Sequence, residues 1–306
     1  MDKIKFLAFA DLHHYPGVFK NDASERLKII QQAAAQNSVD FIIELGDFCH
    51  IPTQEREIID QFNDFEIPGY HTLGNHDTDG TSLKKTLELY RMPNNFYHFD
   101  RKGFRFIVLD TNYFKDGDKY VHYEHQNYFD FPDTREYVSP DQFEWLENIV
   151  SESPYPCILF SHASLERDAK GIPNIAEFKK VLSKVNKDKR KIILCINGHY
   201  HRDYLRILDQ VAYLDLNSVS YDWVQNPHNF FPEEVNKKYK LAANTIIYND
   251  PLYAIIGLAS DGTLTIEGIE STMYKGVTRE MTDNSPCDPD GRPATPKVLS
   301  AKIKLF

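Results

Sequence analysis

Five apolar runs punctuate the first two thirds of the chain: IKFLAFA at 4–10, VDFIIEL at 39–45, FRFIVL at 104–109, CILF at 157–160 and KIILCI at 191–196. Runs this apolar, with little alternation to keep one side wet, read as strands buried on both faces. Between them lie segments of helical spacing. ASERLKIIQQAAAQ at 23–36 and TQEREIIDQFNDF at 53–65 set their apolar residues three and four apart. SPDQFEWLENIV at 139–150 opens with Ser139 as N-cap, Pro140 as first helical residue and Gln142 as capping-box partner. Strands and helices taking turns in this way require an α/β fold with a largely parallel sheet, since parallel neighbours need a crossover between them.

The pattern changes after His201. YLRILDQVAYLDLNSVS, NTIIYN and LYAIIGLASDGTLTIEGIES supply strands without intervening helices, and Asp261-Gly262 marks a hairpin turn. These strands are expected to form a second sheet, mixed or antiparallel, packed on a mostly parallel first one. The turn-rich stretch at 282–296 reads as a surface loop, and KVLSAKIKLF at the end alternates like an edge strand. Residues 1–270 are therefore expected to form the main domain and 271–306 a C-terminal extension.

A net charge of -10 gives no electrostatic footprint for gripping duplex phosphates, so long duplex nucleic acid is not an expected partner. The opening MDKIKFLAFADLHH carries too short an apolar run for a secretory leader, no run approaches membrane-spanning length, and Cys49, Cys157, Cys195 and Cys287 lack metal-type spacing. The expectation is a cytoplasmic protein without a membrane partner.

Polar residues stand just beyond the apolar runs. The first run ends at Asp11-Leu12-His13, the second at Gly46-Asp47, the short YHTL at 70–73 at Gly74-Asn75-His76-Asp77, the fourth at Ser161-His162 and the fifth at Gly198-His199-Tyr200-His201. In an extended backbone His199 and His201 point the same way. Sites in open α/β sheets form outside the carboxyl ends of strands, so these groups would converge on one crevice. Each alone has a bland reading as a turn, cap or satisfied histidine. Together, Asp11, His13, Asp47, Asn75, His162, His199 and His201 offer carboxylate, amide and imidazole with no thiolate, which suits two divalent ions of manganese, iron or zinc.

Five blocks in this order, DLH at 11–13, GD at 46–47, GNHD at 74–77, SH at 161–162 and GHYH at 198–201, resemble the signature of the calcineurin-like metallophosphoesterase superfamily over roughly the first 220 residues. The resemblance implies a two-sheet α/β/β/α sandwich and hydrolysis of a small phosphate ester, either a monoester, a diester or a nucleotide. It implies one ion held by Asp11, His13, Asp47 and His201 and another by Asp47, Asn75, His162 and His199, with Asp47 bridging. His76 is then expected as general acid and Asp77 as the group orienting its ring, while His14, His50 and His71 are expected as neighbours. A metal-dependent nuclease and a non-catalytic scaffold of the same fold are the alternatives. The GDFCH stretch lacks the arginine that follows this motif in Ser/Thr protein phosphatases.

Two aromatic-rich segments are candidates for substrate choice. Residues 111–137 include Tyr113 and Phe114, and 220–231 include Trp223 and Phe230. A segment as long as the first fits either a binding loop whose rings stack on substrate or a satellite hydrophobic cluster.

Overall fold

Side chains of the first apolar run leave the strand in two directions, and both are dry. Ile4, Phe6, Ala8 and Ala10 enter one core with Phe41, Ile43, Phe106 and Phe160, whereas Leu7 and Phe9 enter another with Leu27, Ile30 and Phe62. The computed structural model describes residues 3–20, 22–282, 287 and 291–306.

In chain order the first half supplies β1 (Lys3–Phe9), α1 (Ala23–Gln36), β2 (Phe41–Glu44), α2 (Arg56–Asn63), β3 (Gly69–His71), α3 (Leu83–Leu89), β4 (Tyr97–Arg101), β5 (Phe104–Val108), β6 (Tyr113–Asp116), β7 (Lys119–His122) and α4 (Pro140–Glu152). The second half adds β8 (Cys157–Ser161), α5 (Ile175–Val185), β9 (Ile192–Asn197), β10 (Tyr204–Leu208), β11 (Val211–Asp215), β12 (Tyr221–Trp223), α6 (Glu233–Lys238), β13 (Thr245–Ile247), β14 (Ala254–Ala259), β15 (Thr263–Gly268) and β16 (Ala301–Lys304).

Two six-stranded sheets face each other, in the orders β16-β15-β14-β1-β2-β3 and β10-β11-β9-β8-β5-β4. The first joins parallel β1, β2 and β3 to an antiparallel series from β14 to β16. The second runs β5, β8, β9 and β11 in parallel, with antiparallel β4 and β10 at its edges. Helices α1 and α2 cover the outer face of the first sheet, and α4 and α5 that of the second. The expected α/β/β/α sandwich is thus the fold.

The partition of strands is not the expected one, because the strands after His201 do not make a sheet of their own. β11 extends the second sheet beside β9, and β14 pairs antiparallel with β1, setting Ile256 opposite Phe6. Hydrophobic pattern fixes which face of a strand is buried, whereas the choice of edge depends on which long-range partner completes the core. Here Ala254, Ile256 and Leu258 fill the same inter-sheet core as Ile4 and Phe6.

Local details follow the sequence with one exception. Asp261-Gly262 turns β14 into β15, with Gly262 at φ +82°. Pro140 occupies the first turn of α4, but Gln142 does not close a capping box. Its Oε1 accepts from Asp110 N at 2.9 Å and its Nε2 donates to Asp110 O at 3.0 Å, so the side chain ties α4 to the end of β5. Residues 111–137 hold the β6–β7 hairpin and a 3-10 turn at Asn127–Asp130. Of the expected loop at 282–296, residues 283–286 and 288–290 lie outside the described residues. Among the described residues no helix is long and apolar enough to cross a membrane.

Candidate metal centre and its cleft

The carboxyl ends of β1, β2 and β3 from one sheet meet those of β8 and β9 from the other. Backbone bonds lock them together: Asp11 N donates to Gly46 O at 3.0 Å, His13 N to Asp47 O at 2.8 Å and Gly198 N to His162 O at 3.1 Å. Approach this close leaves no space for a Cβ. At Gly74 one would lie 2.1 Å from Asp47 N, and at Gly198 one would lie 2.6 Å from Asp11 Oδ2. Asp11, His13, Asp47, His199 and His201 all adopt positive φ, between 47° and 70°. That region is sparsely populated by non-glycine residues, and such conformations persist where surrounding contacts over-determine them.

The donor atoms form two groups, Asp11 with His13 and His201, and Asp47 with His162 and His199. His13 Nε2 lies 3.1 Å from His201 Nε2, 3.6 Å from Asp11 Oδ1 and 3.6 Å from Asp47 Oδ2. His162 Nε2 lies 3.2 Å from Asp47 Oδ2, 3.2 Å from Asn75 Oδ1 and 3.1 Å from His199 Nδ1. Ligands roughly 2.0–2.2 Å from one ion stand about 3.0–3.6 Å from each other, so both groups fit a divalent cation, and Asp47 reaches both.

Second partners aim the lone pairs. His162 Nδ1 donates to Leu45 O at 2.8 Å and His201 Nδ1 to Tyr221 O at 2.7 Å, which turns each Nε2 inward. His199 is reversed, with Nε2 on Glu136 Oε1 at 3.2 Å and Nδ1 inward. Asp11 and Asp47 are 0 % and 3 % exposed, so their negative charge has no water to meet it. Burial would raise both carboxyls, but His201 and His13 beside Asp11, and His162, His76 and His13 beside Asp47, hold them below the usual range. Burial would lower His162, yet Asp47 and Asp11 push it up to about 10. Cations would supply the positive charge these carboxylates otherwise draw from protons.

His76 lines the cleft beside the donors. Burial opposes its charged form, but Asp47 and Asp79 outweigh burial and raise its pKa. Asp77 does not orient its ring, contrary to expectation. The Asp77 carboxylate accepts from Asp47 N, Gly74 N, Phe48 N and Tyr90 Oη at 2.7–2.9 Å, pinning the Gly46-Asp47 and Gly74 loops to each other. Asp79 takes the role, with Oδ2 2.7 Å from His76 Nδ1 and Oδ1 accepting from Tyr128 Oη at 3.2 Å. His76 through Gly80 form a turn, in which Asp79 N donates to His76 O, so residues three apart share a face and neighbours do not. A carboxylate three residues after the histidine was the legible signal.

The cleft encloses about 200 Å³ and is lined by His13, Asp47, Asn75, His76, His199 and His201 below, with Tyr123, Tyr128, Phe129, Arg135, Glu136, Lys170 and Trp223 around it. Of the aromatic residues expected at the substrate, Trp223 lines the cleft, whereas Tyr113 and Phe114 do not reach it. Phe114 is 4 % exposed and stacks on Phe131 in a satellite cluster with Tyr123 and Tyr128. Tyr113 packs edge-on against His122, and its hydroxyl accepts from Asn95 Nδ2 at 3.1 Å. Tyr113 and Phe114 thus anchor the hairpin, and of the aromatics after it that line the cleft, Tyr123 and Tyr128 are themselves buried in this cluster, whereas Phe129 is exposed. Arg135, Glu136 and Lys170 carried no motif signal. His14 pairs with Glu55 at 2.8 Å, and His71 with Glu44 at 3.0 Å.

A family model described as calcineurin-like phosphoesterase matches residues 4–203. No curated sequence matches the chain. Among solved structures, a dimetal phosphatase from Danio rerio superposes with TM-score 0.64 at 13 % identity, covering 100 % of both chains. GAP50, the anchor in the inner membrane complex of Plasmodium, gives 0.54 at 14 % identity over 88 % of this chain and 85 % of its own. A putative 5'-nucleotidase from Staphylococcus aureus gives 0.50 at 16 % identity over 94 % of this chain and 56 % of its own.

Proposed function

This chain belongs to the calcineurin-like phosphoesterase family, and we propose from that premise that it is a dinuclear-metal phosphoesterase acting on a small monoester, diester or nucleotide. The observation that carries the reading is two adjacent donor groups in one cleft, with Asp47 Oδ2 3.2 Å from His162 Nε2 in its own group and 3.6 Å from His13 Nε2 in the other, beside a half-buried, carboxylate-paired His76. Asp11, His13, Asp47 and His201 would hold one ion, and Asp47, Asn75, His162 and His199 the other. Imidazole, carboxylate and amide suit manganese, iron or zinc. Bound there, such ions would lower the pKa of water toward about 7 and offset the charge on phosphoryl oxygens.

The chain's own residues do the rest. Asp79 holds His76 through Nδ1, leaving Nε2 to give its proton to the leaving oxygen as the ester bond breaks. Asp77 keeps Asp47 in place by fixing the loop that carries it. Arg135 and Lys170 place positive charge on the cleft wall, where non-reacting phosphate oxygens would lie. Phe129 and Trp223 offer faces to an organic substituent. The net charge of -10 and the small cleft weigh against a nuclease of long duplexes. One structural neighbour is described as an anchor, so the fold alone does not distinguish scaffold from enzyme. A complete donor set does favour the enzyme, since a scaffold has no use for it. The buried free thiols of Cys49, Cys157 and Cys195 suit the cytoplasmic location we also propose.

The test is a manganese-supplemented assay on an aryl phosphate, its bis-aryl diester and single-stranded DNA, with elemental analysis of the purified protein. Hydrolysis of a small ester with two ions per chain is expected. An intact, metal-loaded protein inert toward both esters overturns the reading.

A further inference from the structure

Three residues after Asp47, His50 belongs to neither donor group, yet it stands between the first ion's ligand His13 and the acid His76. His50 is 9 % exposed, with Nε2 3.0 Å from His13 Nδ1. Its ring lies over His76 at 4.2 Å between centroids and 20° between planes, and Tyr15 stacks on it at 4.8 Å and 26°. From this geometry we infer that His50 is a positioning residue serving two neighbours: it fixes the tautomer of His13 for the first ion and gives His76 a flat face to rest on.

The tautomer follows from where the nitrogens point. His13 Nε2 faces Asp11, Asp47 and His201, so it is the ligand atom and carries no proton. The proton then sits on Nδ1 and is donated to His50 Nε2, which must offer a lone pair; His50 keeps its own proton on Nδ1. An ion drawing electron density from His13 makes Nδ1–H a better donor and tightens the bond.

His13, His50 and His76 also fall within reach of a common ion, which offers a competing use for His50. Stacking argues against it. Imidazole lone pairs lie in the ring plane, and two nearly parallel stacked rings do not aim them at one point between their faces. His76 Nδ1 is moreover engaged by Asp79 at 2.7 Å, and His13 Nε2 faces the other donor group.

This inference rests on the metal-centre reading and is tested without substrate first. Three variants separate the two services. His50→Gln keeps an acceptor for His13 Nδ1–H but loses the ring, His50→Phe keeps a ring without an acceptor, and His50→Ala has neither. Manganese affinity at the first site, read by electron paramagnetic resonance of the free aquo ion, should stay within about threefold of the parent for His50→Gln. It should weaken about 10–100-fold for His50→Phe and His50→Ala. The ratio of rates on poor and good leaving groups should fall severalfold for His50→Gln and His50→Ala and hold for His50→Phe. Equal affinity across His50→Gln and His50→Ala, whether both kept or both lost, overturns the proposal, and this comparison decides it even if His50→Phe does not fold. A parent that binds two ions in the stated order of variants but cleaves no ester rejects the phosphoesterase reading and leaves His50 standing. A parent that binds none of manganese, iron or zinc rejects both.

Discussion

The floor of the cleft and its rim are built on different terms. On the floor, Asp11, His13, Asp47, His162 and His201 are at most 3 % exposed, and the His13, His162 and His201 rings are each held by a second partner at Nδ1. On the rim, Phe129 is 55 % exposed, and Lys170 is also exposed. Under the proposed function floor residues would answer to an ion of fixed radius, which constrains both residue type and spacing. Rim residues answer to whatever packs behind them, and the hairpin can exchange which aromatics anchor and which face outward. The contrast separates chemistry shared by a family from the part that chooses a substrate.

The sharpest way to break this comparison is at the shared ligand. Asp47→Ala should lower kcat by at least about a thousandfold and reduce metal stoichiometry below two, read by turnover and elemental analysis. Retained pairing of ions would mean the floor is not built around Asp47. Next in size is the acid. His76→Ala and Asp79→Asn should each cost about 10–100-fold on alkyl esters and far less on a nitrophenyl ester, with both ions kept. Asp77→Ala should instead weaken metal binding and lower rates on all leaving groups alike, so matching leaving-group profiles for Asp77 and Asp79 variants would undo the division of labour described here.

Chelation sharpens the same contrast through stability. Each ion present at about 100 times its Kd contributes about 2.7 kcal/mol, so removal of both should lower Tm by about 8 °C, followed by differential scanning fluorimetry. Amide exchange should rise at the floor loops more than at Phe129. The smallest effect belongs to the rim. Phe129→Ala should raise KM about three- to tenfold for substrates with an aromatic substituent and leave metal content unchanged. An unchanged KM across such a panel would remove Phe129 from substrate selection.

The convergence of the floor residues could be read without coordinates: a glycine for close approach followed by Asp, Asn or His stands beyond β2, β3 and β9. The chain's remaining choices follow local geometry that spacing alone does not display. Asp77 was the obvious partner for His76 by adjacency, but on a turn the third residue shares the face, which gave the role to Asp79. Tyr113 and Phe114 look like substrate residues by composition, yet hairpin register turns Phe114 inward against Phe131. The two-sheet architecture was legible from buried runs, while the assignment of β14 to the edge of β1 depends on a contact some 250 residues distant in sequence that periodicity does not encode.

That pairing has a consequence for how the protein is made. Lys3 to Ala8 find their antiparallel neighbours only in residues 254–259, beyond the last residue of the family match. A nascent polypeptide leaving the ribosome therefore carries an apolar strand with one edge open until residues 254–259 have been made. Chaperones that shield such edges would be needed most during that interval, and a fragment cut at residue 203 would keep every proposed metal ligand yet lack the strand that pairs with β1.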